Sequence, residues 1–197
     1  MYMMQKMTRS KQFDPDEAVS KAAALFWRKG YASTTPQDLS EEIGIGKGSL
    51  YHAFDSKRGL FELALRRYGE ARLSALAGLL QGPGPVKDRL RHALLMLANG
   101  RGDPPLRGCL AVNTAIELGS TDTQASKAVR LIFDRIELLL VSLVEEGQRR
   151  GEIDTGRDPA QVAGTLLIAI LGLQVLGRAS DSPARSRRII ESVIATL

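Results

Sequence analysis

Thr35-Pro36-Gln37-Asp38-Leu39-Ser40-Glu41-Glu42-Ile43-Gly44-Ile45-Gly46-Lys47-Gly48-Ser49-Leu50-Tyr51-His52-Ala53-Phe54 decides how this chain is read. Thr35 is a good helix N-cap, Pro36 suits the first helical position, and Asp38 places an acid where the helix dipole favours it. Leu39 and Ile43 stand four apart and share a face. Gly44 can take the left-handed conformation that ends a helix, and Ile45 supplies the apolar contact that follows such a stop. A second short helix then buries Leu50 and Phe54. Counting about 100° per residue from Leu50 turns Gly48 and His52 outward, with Ser49 and Tyr51 on the flanks. Two short helices joined at Gly44-Ile45-Gly46 have the layout of a helix-turn-helix reader of DNA. An ordinary helical hairpin with a solvated outer face is the rival reading.

The flanking sequence extends the pattern in both directions. Asp14-Pro15-Asp16-Glu17 combines an N-cap, a proline at the first position and a Glu three residues after the cap. Ala18, Ala22, Leu25 and Phe26 follow at helical spacing, and Arg28-Lys29-Gly30-Tyr31 supplies cations and a glycine stop. Downstream, Asp55-Ser56 can cap a long helix from Lys57, with Leu60, Phe61, Ala64, Leu65 and Tyr68 on one side.

Taken together, Phe26-Trp27-Arg28-Lys29-Gly30-Tyr31, Thr34-Thr35, Leu39-Ser40-Glu41-Glu42-Ile43-Gly44-Ile45, Gly48-Ser49-Leu50-Tyr51-His52-Ala53-Phe54, Lys57 and Leu60-Phe61 resemble the N-terminal signature of the TetR family of transcriptional regulators. The resemblance runs without gaps over residues 13 to 68. It departs at Arg58-Gly59, where the family usually has an acid and a better helix former. Glycine there is expected to weaken the helix start by up to about 1 kcal/mol. Arg107-Gly108-Cys109-Leu110-Ala111-Val112-Asn113 resembles a segment from one branch of the same family.

Past residue 80 the chain changes character. Gly82-Pro83-Gly84-Pro85 is a strong break. Helices are predicted near 86–99, 105–118, 123–150, 158–177 and 183–196, which gives an all-α fold of about nine helices. The expected division is an arm and helix-turn-helix domain over 1–55, a connecting helix over 56–80, and a larger helical domain for ligand binding and dimerisation over 81–197. Leu166, Ile170 and Leu173 form an apolar stripe, and Ile190, Val193 and Ile194 a second. Both suit one protomer's core. The resemblance assigns them instead to a homodimer interface, because the family's last two long helices pair with their mates.

The resemblance also implies a double-stranded DNA operator and a small-molecule effector as partners. Residues matching Thr35, Tyr51 and Lys57 are expected on phosphates, and those matching Lys47, Gly48 and His52 in the groove. Phosphates give affinity, whereas base edges give sequence choice. Lys47 and His52 are expected to matter most for choice, with Ser49 next. Tyr51 has a second reading as a packing residue over the small core. The effector cavity is expected in the C-terminal half. Its candidates are Met96, Cys109, Asn113, Thr114, Glu117, Phe133 and Gln174, polar or adaptable groups among apolar ones. Helix packing or capping is the rival role for each. Repression, with release on effector binding, is the family's common mode.

Composition narrows the alternatives. Net charge is +5 and permits a polyanionic partner. Lys6, Arg9 and Lys11, with no acid before residue 14, make either a basic arm or a terminus without a role. The opening Met-Tyr-Met-Met-Gln-Lys-Met is too short and polar for a signal peptide. The apolar run Val162 to Leu176 is interrupted by Gly164, Gly172 and Gln174 and looks short for a membrane span. A single cysteine excludes an internal disulfide and fits the cytoplasm. Cys109 after Arg107-Gly108 suggests a redox or electrophile sensor, whereas burial is the usual fate of a free cysteine. His92, on a helix with apolar neighbours, reads as structural. Two histidines and one cysteine, far apart, supply no zinc spacing or nucleophile elbow, so neither an enzyme nor any cofactor or metal is expected. Gly44 to Gly48 lacks the strand and spacing of a phosphate loop. A helical binding protein without DNA recognition remains the other alternative.

Overall fold

The computed structural model describes residues 13–98, 108–179 and 182–197, so the basic arm and Arg107 lie outside the described residues. Within them the chain forms nine helices. They are α1 (Pro15–Lys29), α2 (Pro36–Ile43), α3 (Lys47–Phe54), α4 (Lys57–Leu80), α5 (Val86–Ala98), α6 (Leu110–Leu118), α7 (Thr123–Arg149), α8 (Pro159–Ala179) and α9 (Pro183–Ala195).

The start and stop signals act as their chemistry requires. The Asp14 carboxylate accepts from the Asp16 amide at 2.9 Å, and Gly30 ends α1 with φ 83°. Thr35 and Asp38 make a reciprocal capping box at α2, and Gly44 closes that helix in the left-handed region. Among the described residues Asp55 is the non-glycine residue with positive φ, at 58°, and the Ser56 amide donates to Phe54 O across it at 2.6 Å. This is a three-residue turn, tight enough to fold α3 back against α4.

That turn corrects the expectation for Gly59. A Cβ at Gly59 would lie 2.6 Å from the Phe54 carbonyl oxygen. The glycine makes room for the turn, so its low helix propensity is accepted for a steric reason.

Two cores hold the bundle. The first gathers Phe26, Leu39, Leu50, Phe54, Leu60 and Phe61 from α1 to α4, all nearly inaccessible to solvent. It also takes Cys109, Leu110, Ala111 and Val112 at the start of α6 and Val129 of α7. The first core therefore reaches beyond the first 55 residues into α4, α6 and α7. The second core joins the end of α4 to α5, α7, α8 and α9.

Leu166, Ile170, Leu173, Ile190 and Ile194 are between 0% and 5% exposed and belong to this second core, with Val193 packed against it. The stripes expected at a subunit interface are thus turned into their own protomer. The apolar groups left outside on α8 are Ile168, 72% exposed, and Val175, 46% exposed. At 21 residues and mean hydropathy 1.8, α8 is long and apolar enough by composition to cross a membrane, contrary to the sequence expectation. In the fold its inner face is core. His92, read as structural, is exposed on α5.

Candidate nucleic-acid interface

The α2–α3 pair is held from beneath by Leu39, Ile43, Leu50 and Phe54, all buried. Once these four point inward, helical geometry leaves Lys47, Gly48, Ser49, Tyr51 and His52 outside, and all five are exposed. Tyr51, at 40% exposed, follows the outward reading rather than the packing one. Nothing lies within 4 Å of a Cβ built on Gly48. The fold itself therefore does not require glycine there, and the missing side chain leaves the backbone open to an outside surface.

Electrostatics sharpen this face. Gly46 caps α3 without a side chain, so the positive end of its dipole is not masked. Two of the three acids of α2 are neutralised from behind. Arg28 pairs with Glu42 at 2.7 Å, and Lys29 with Asp38 at 2.8 Å. Lys29, together with the Thr35 hydrogen bonds, holds the Asp38 carboxyl well below the ordinary carboxylate range. Lys47 makes no ion pair among the described residues, so its charge is available.

Thr35 and Lys57 are differently placed. The Thr35 hydroxyl is engaged within the capping box, donating to Asp38 Oδ2 at 2.8 Å. Lys57 opens α4, with Nζ 4.3 Å from the centroid of the Tyr31 ring. Burial lowers its pKa, opposed by Glu117 and Asp38.

The residues expected at the effector cavity do not form one site. Glu117 of α6 accepts from the Tyr31 amide at 2.9 Å and the Ala32 amide at 2.6 Å. It clamps the α1–α2 turn and lines no described cavity. Met96 is 43% exposed on α5, Thr114 is buried in α6, and Phe133 packs against the first core. Cys109, Asn113 and Gln174 do converge, on a cavity of about 170 Å³ between α6 and α8. Cys109 is only 7% exposed, and its Sγ accepts from Tyr68 Oη at 3.2 Å, which favours the buried reading over the reactive one.

Sequence reasoning missed two features. One is Arg72, a buried cation behind this cavity. The signal was present, because Leu65, Tyr68, Arg72 and Leu76 recur at core spacing on α4. The other is a second cavity of about 280 Å³ between α4 and α7, floored by Leu65, Gly69 and Ile132 and rimmed by Glu62, Arg66 and Arg135. It follows from the close approach of two helices at Gly69, which no local pattern announces.

Residues 18–64 match the model described as "Bacterial regulatory proteins, tetR family", and residues 86–193 match "Tetracyclin repressor-like, C-terminal domain". The chain is 32% identical over 178 residues to the HTH-type transcriptional repressor ComR of Escherichia coli (strain K12), covering 88% of this chain and 84% of ComR. It is 36% identical over 112 residues to YezE, an HTH-type transcriptional regulator of Bacillus subtilis (strain 168). That match covers 56% of this chain and spans 58% of YezE. Among solved structures, a cysteine mutant of the TetR family regulator CifR complexed with 26bp double-strand operator DNA superposes with a TM-score of 0.82 at 25% identity, covering 95% of this chain and 98% of that one. A TetR regulator from Chloroflexus aurantiacus gives 0.81 at 27% identity, covering 91% of each. With both family models matched in order along one all-helical chain, the protein belongs to the TetR family of bacterial transcriptional regulators.

Proposed function

We propose that the chain is a homodimeric repressor that holds a palindromic operator through α3 and releases it when a small molecule binds the C-terminal helices. The observation that carries this reading is the outer face of α3. Lys47, Gly48, Ser49, Tyr51 and His52 stand free there on a buried Leu50-Phe54 anchor. Its relative ComR bears the name of a repressor, and CifR, similar in fold, was solved with operator DNA.

Two such faces read successive major grooves when their centres lie about 34–36 Å apart. The outer face of α8 suits the dimer contact. Ile168 and Val175 supply apolar area, and a Cβ on Gly172 between them would meet nothing, so a mate helix can approach closely. Lys47 and His52 read base edges, with Ser49 next. Thr35, Tyr51 and Lys57 face phosphates, and Gly48 allows the approach. The effector acts through differential affinity for two spacings of the reading heads. Such a protein works where the chromosome is, in the cytoplasm.

Fluorescence anisotropy with a duplex from upstream of the protein's own gene tests the reading. Binding should exceed that of random duplex of equal length, and Lys47→Ala should narrow that gap. Lys57→Ala should instead weaken all duplexes alike and lower the salt slope by about one unit. Equal affinity for the upstream and random duplexes sinks the proposal.

A further inference from the structure

Two arginines lie in the interior, and their surroundings differ. Arg89, 7% exposed, donates to Leu80 O at 2.6 Å and pairs with Glu146 at 2.5 Å. Arg72, 9% exposed, has no carboxylate within ion-pair distance among the described residues. With the Gln174 amide oriented so that both its ends find partners, its oxygen accepts from Arg72 Nη2 at 2.6 Å and its nitrogen donates to Gly108 O at 2.7 Å. A neutral amide thus stands where a buried guanidinium ordinarily finds an anion.

The groups around Arg72 are donors in want of acceptors. Tyr68, one turn back on α4, gives its hydroxyl only to the weak acceptor Cys109 Sγ. Burial pushes that hydroxyl far above its usual range, so it stays protonated. Trp27, packed edge-on to Tyr68 with ring centroids 5.2 Å apart, has a buried Nε1 with no acceptor among the described residues, and Asn113 Nδ2 is likewise unpaired. Gln174 and Cys109, the two residues bonded to Arg72 and Tyr68, also wall the cavity between α6 and α8. Arg178 lines the same space, and Ile116 and Val175 give it apolar sides. Arg178 and Asn113 thus line a small, largely apolar chamber whose lining holds no acid, and Arg72 stands behind its Gln174 wall.

We propose that this chamber binds a small organic carboxylate. Its anion takes the place of the Gln174 oxygen on Arg72, one of its remaining lone pairs accepts from Asn113, and its hydrocarbon part lies against Val112 and Ile116. This identifies the effector's class and rests on the reading that the C-terminal helices bind a ligand. A guanidinium fork matches a carboxylate in shape as well as charge. Arg72 lies on α4, the helix that follows the reading head, so drawing it toward α8 alters the support of α3.

The test uses the full chain with butyrate, hexanoate and benzoate against butyramide, hexanamide and benzamide at matched ionic strength, by titration calorimetry. At least one acid should bind about tenfold or more tighter than its amide, and Arg72→Met should bring that pair within about twofold. Arg72→Met removes a charge with no ionic partner but leaves the buried Gln174 oxygen without its donor, so its melting is measured first. If it does not fold, Arg72→Lys keeps the charge without the fork and should retain a reduced preference for the acid. The inference is overturned if no acid outbinds its amide, or if both variants keep the parent's preference. Duplex binding by the ligand-free protein is followed separately. Its absence with carboxylate preference intact defeats the operator reading alone, and its presence without that preference defeats this inference alone.

Discussion

Gly59 shows how a single residue's role can reverse between sequence and fold. Helix propensity alone says that Gly59→Ala should stabilise the start of α4 by about 1 kcal/mol. The Phe54 carbonyl, 2.6 Å from the added methyl carbon, says the opposite. Because that oxygen belongs to backbone held in the α3–α4 turn, it cannot swing aside. Gly59→Ala should therefore destabilise by about 1–3 kcal/mol in urea unfolding. A gain in stability would show that the turn is softer than its geometry implies. The outward face of α3, by contrast, is legible in the sequence alone. Leu50 and Phe54 fix which way Lys47, Gly48, Ser49, Tyr51 and His52 point, because helical periodicity determines orientation once the buried side is known. Periodicity says nothing about what a long polar side chain reaches. For that reason the sequence suggests a cavity role for Glu117, whereas in the fold it clamps two backbone amides of another helix pair.

At the scale of elements, that clamp and a second tie fix α6 and α7 to the DNA-reading half. Glu117→Ala leaves the Tyr31 and Ala32 amides without their acceptor, at a cost of about 1–2 kcal/mol for a partly exposed charged pairing. Hydrogen exchange at those two amides should rise well before exchange in α4, and unchanged protection would remove the clamp. The second tie is Arg58, which forks onto Asp122 Oδ1 and Oδ2 while Asp122 caps α7 through the Gln124 and Ala125 amides. The Arg58 hydrogen bonds are the largest cause holding the Asp122 carboxyl at about 2, below its ordinary 3.8. A depressed acid stabilises the folded state above its unfolded pKa and loses that contribution as pH falls from 3.8 towards 2. Acid unfolding of Arg58→Met should lack this component while keeping the rest of the profile. Sequence places most of these helix ends within one or two residues, because proline, glycine and capping acids act locally. The pairing of Arg58 with Asp122, 64 positions away, carries no local mark.

At the scale of the molecule, the inward stripes of α8 and α9 leave Ile168 and Val175 as the apolar groups that a mate can cover. For the proposed dimer, Ile168→Glu should give a monomer by light scattering with melting little changed, and should cost most of the operator affinity, since half-sites are then held singly. Persistence of the dimer would move the interface elsewhere. The stripes themselves cannot be allocated from sequence, because a subunit interface and a protomer core ask for the same residues at the same spacing. The first core, meanwhile, draws on α6 and α7 as well as on α1 to α4. Engineers who wish to splice this DNA-reading head onto a foreign sensor, cutting after residue 55, would inherit an apolar floor stripped of Leu60, Phe61, Leu110 and Ala111. A working hybrid has to carry the fourth and sixth helices along as travelling companions, or redesign the underside they leave bare.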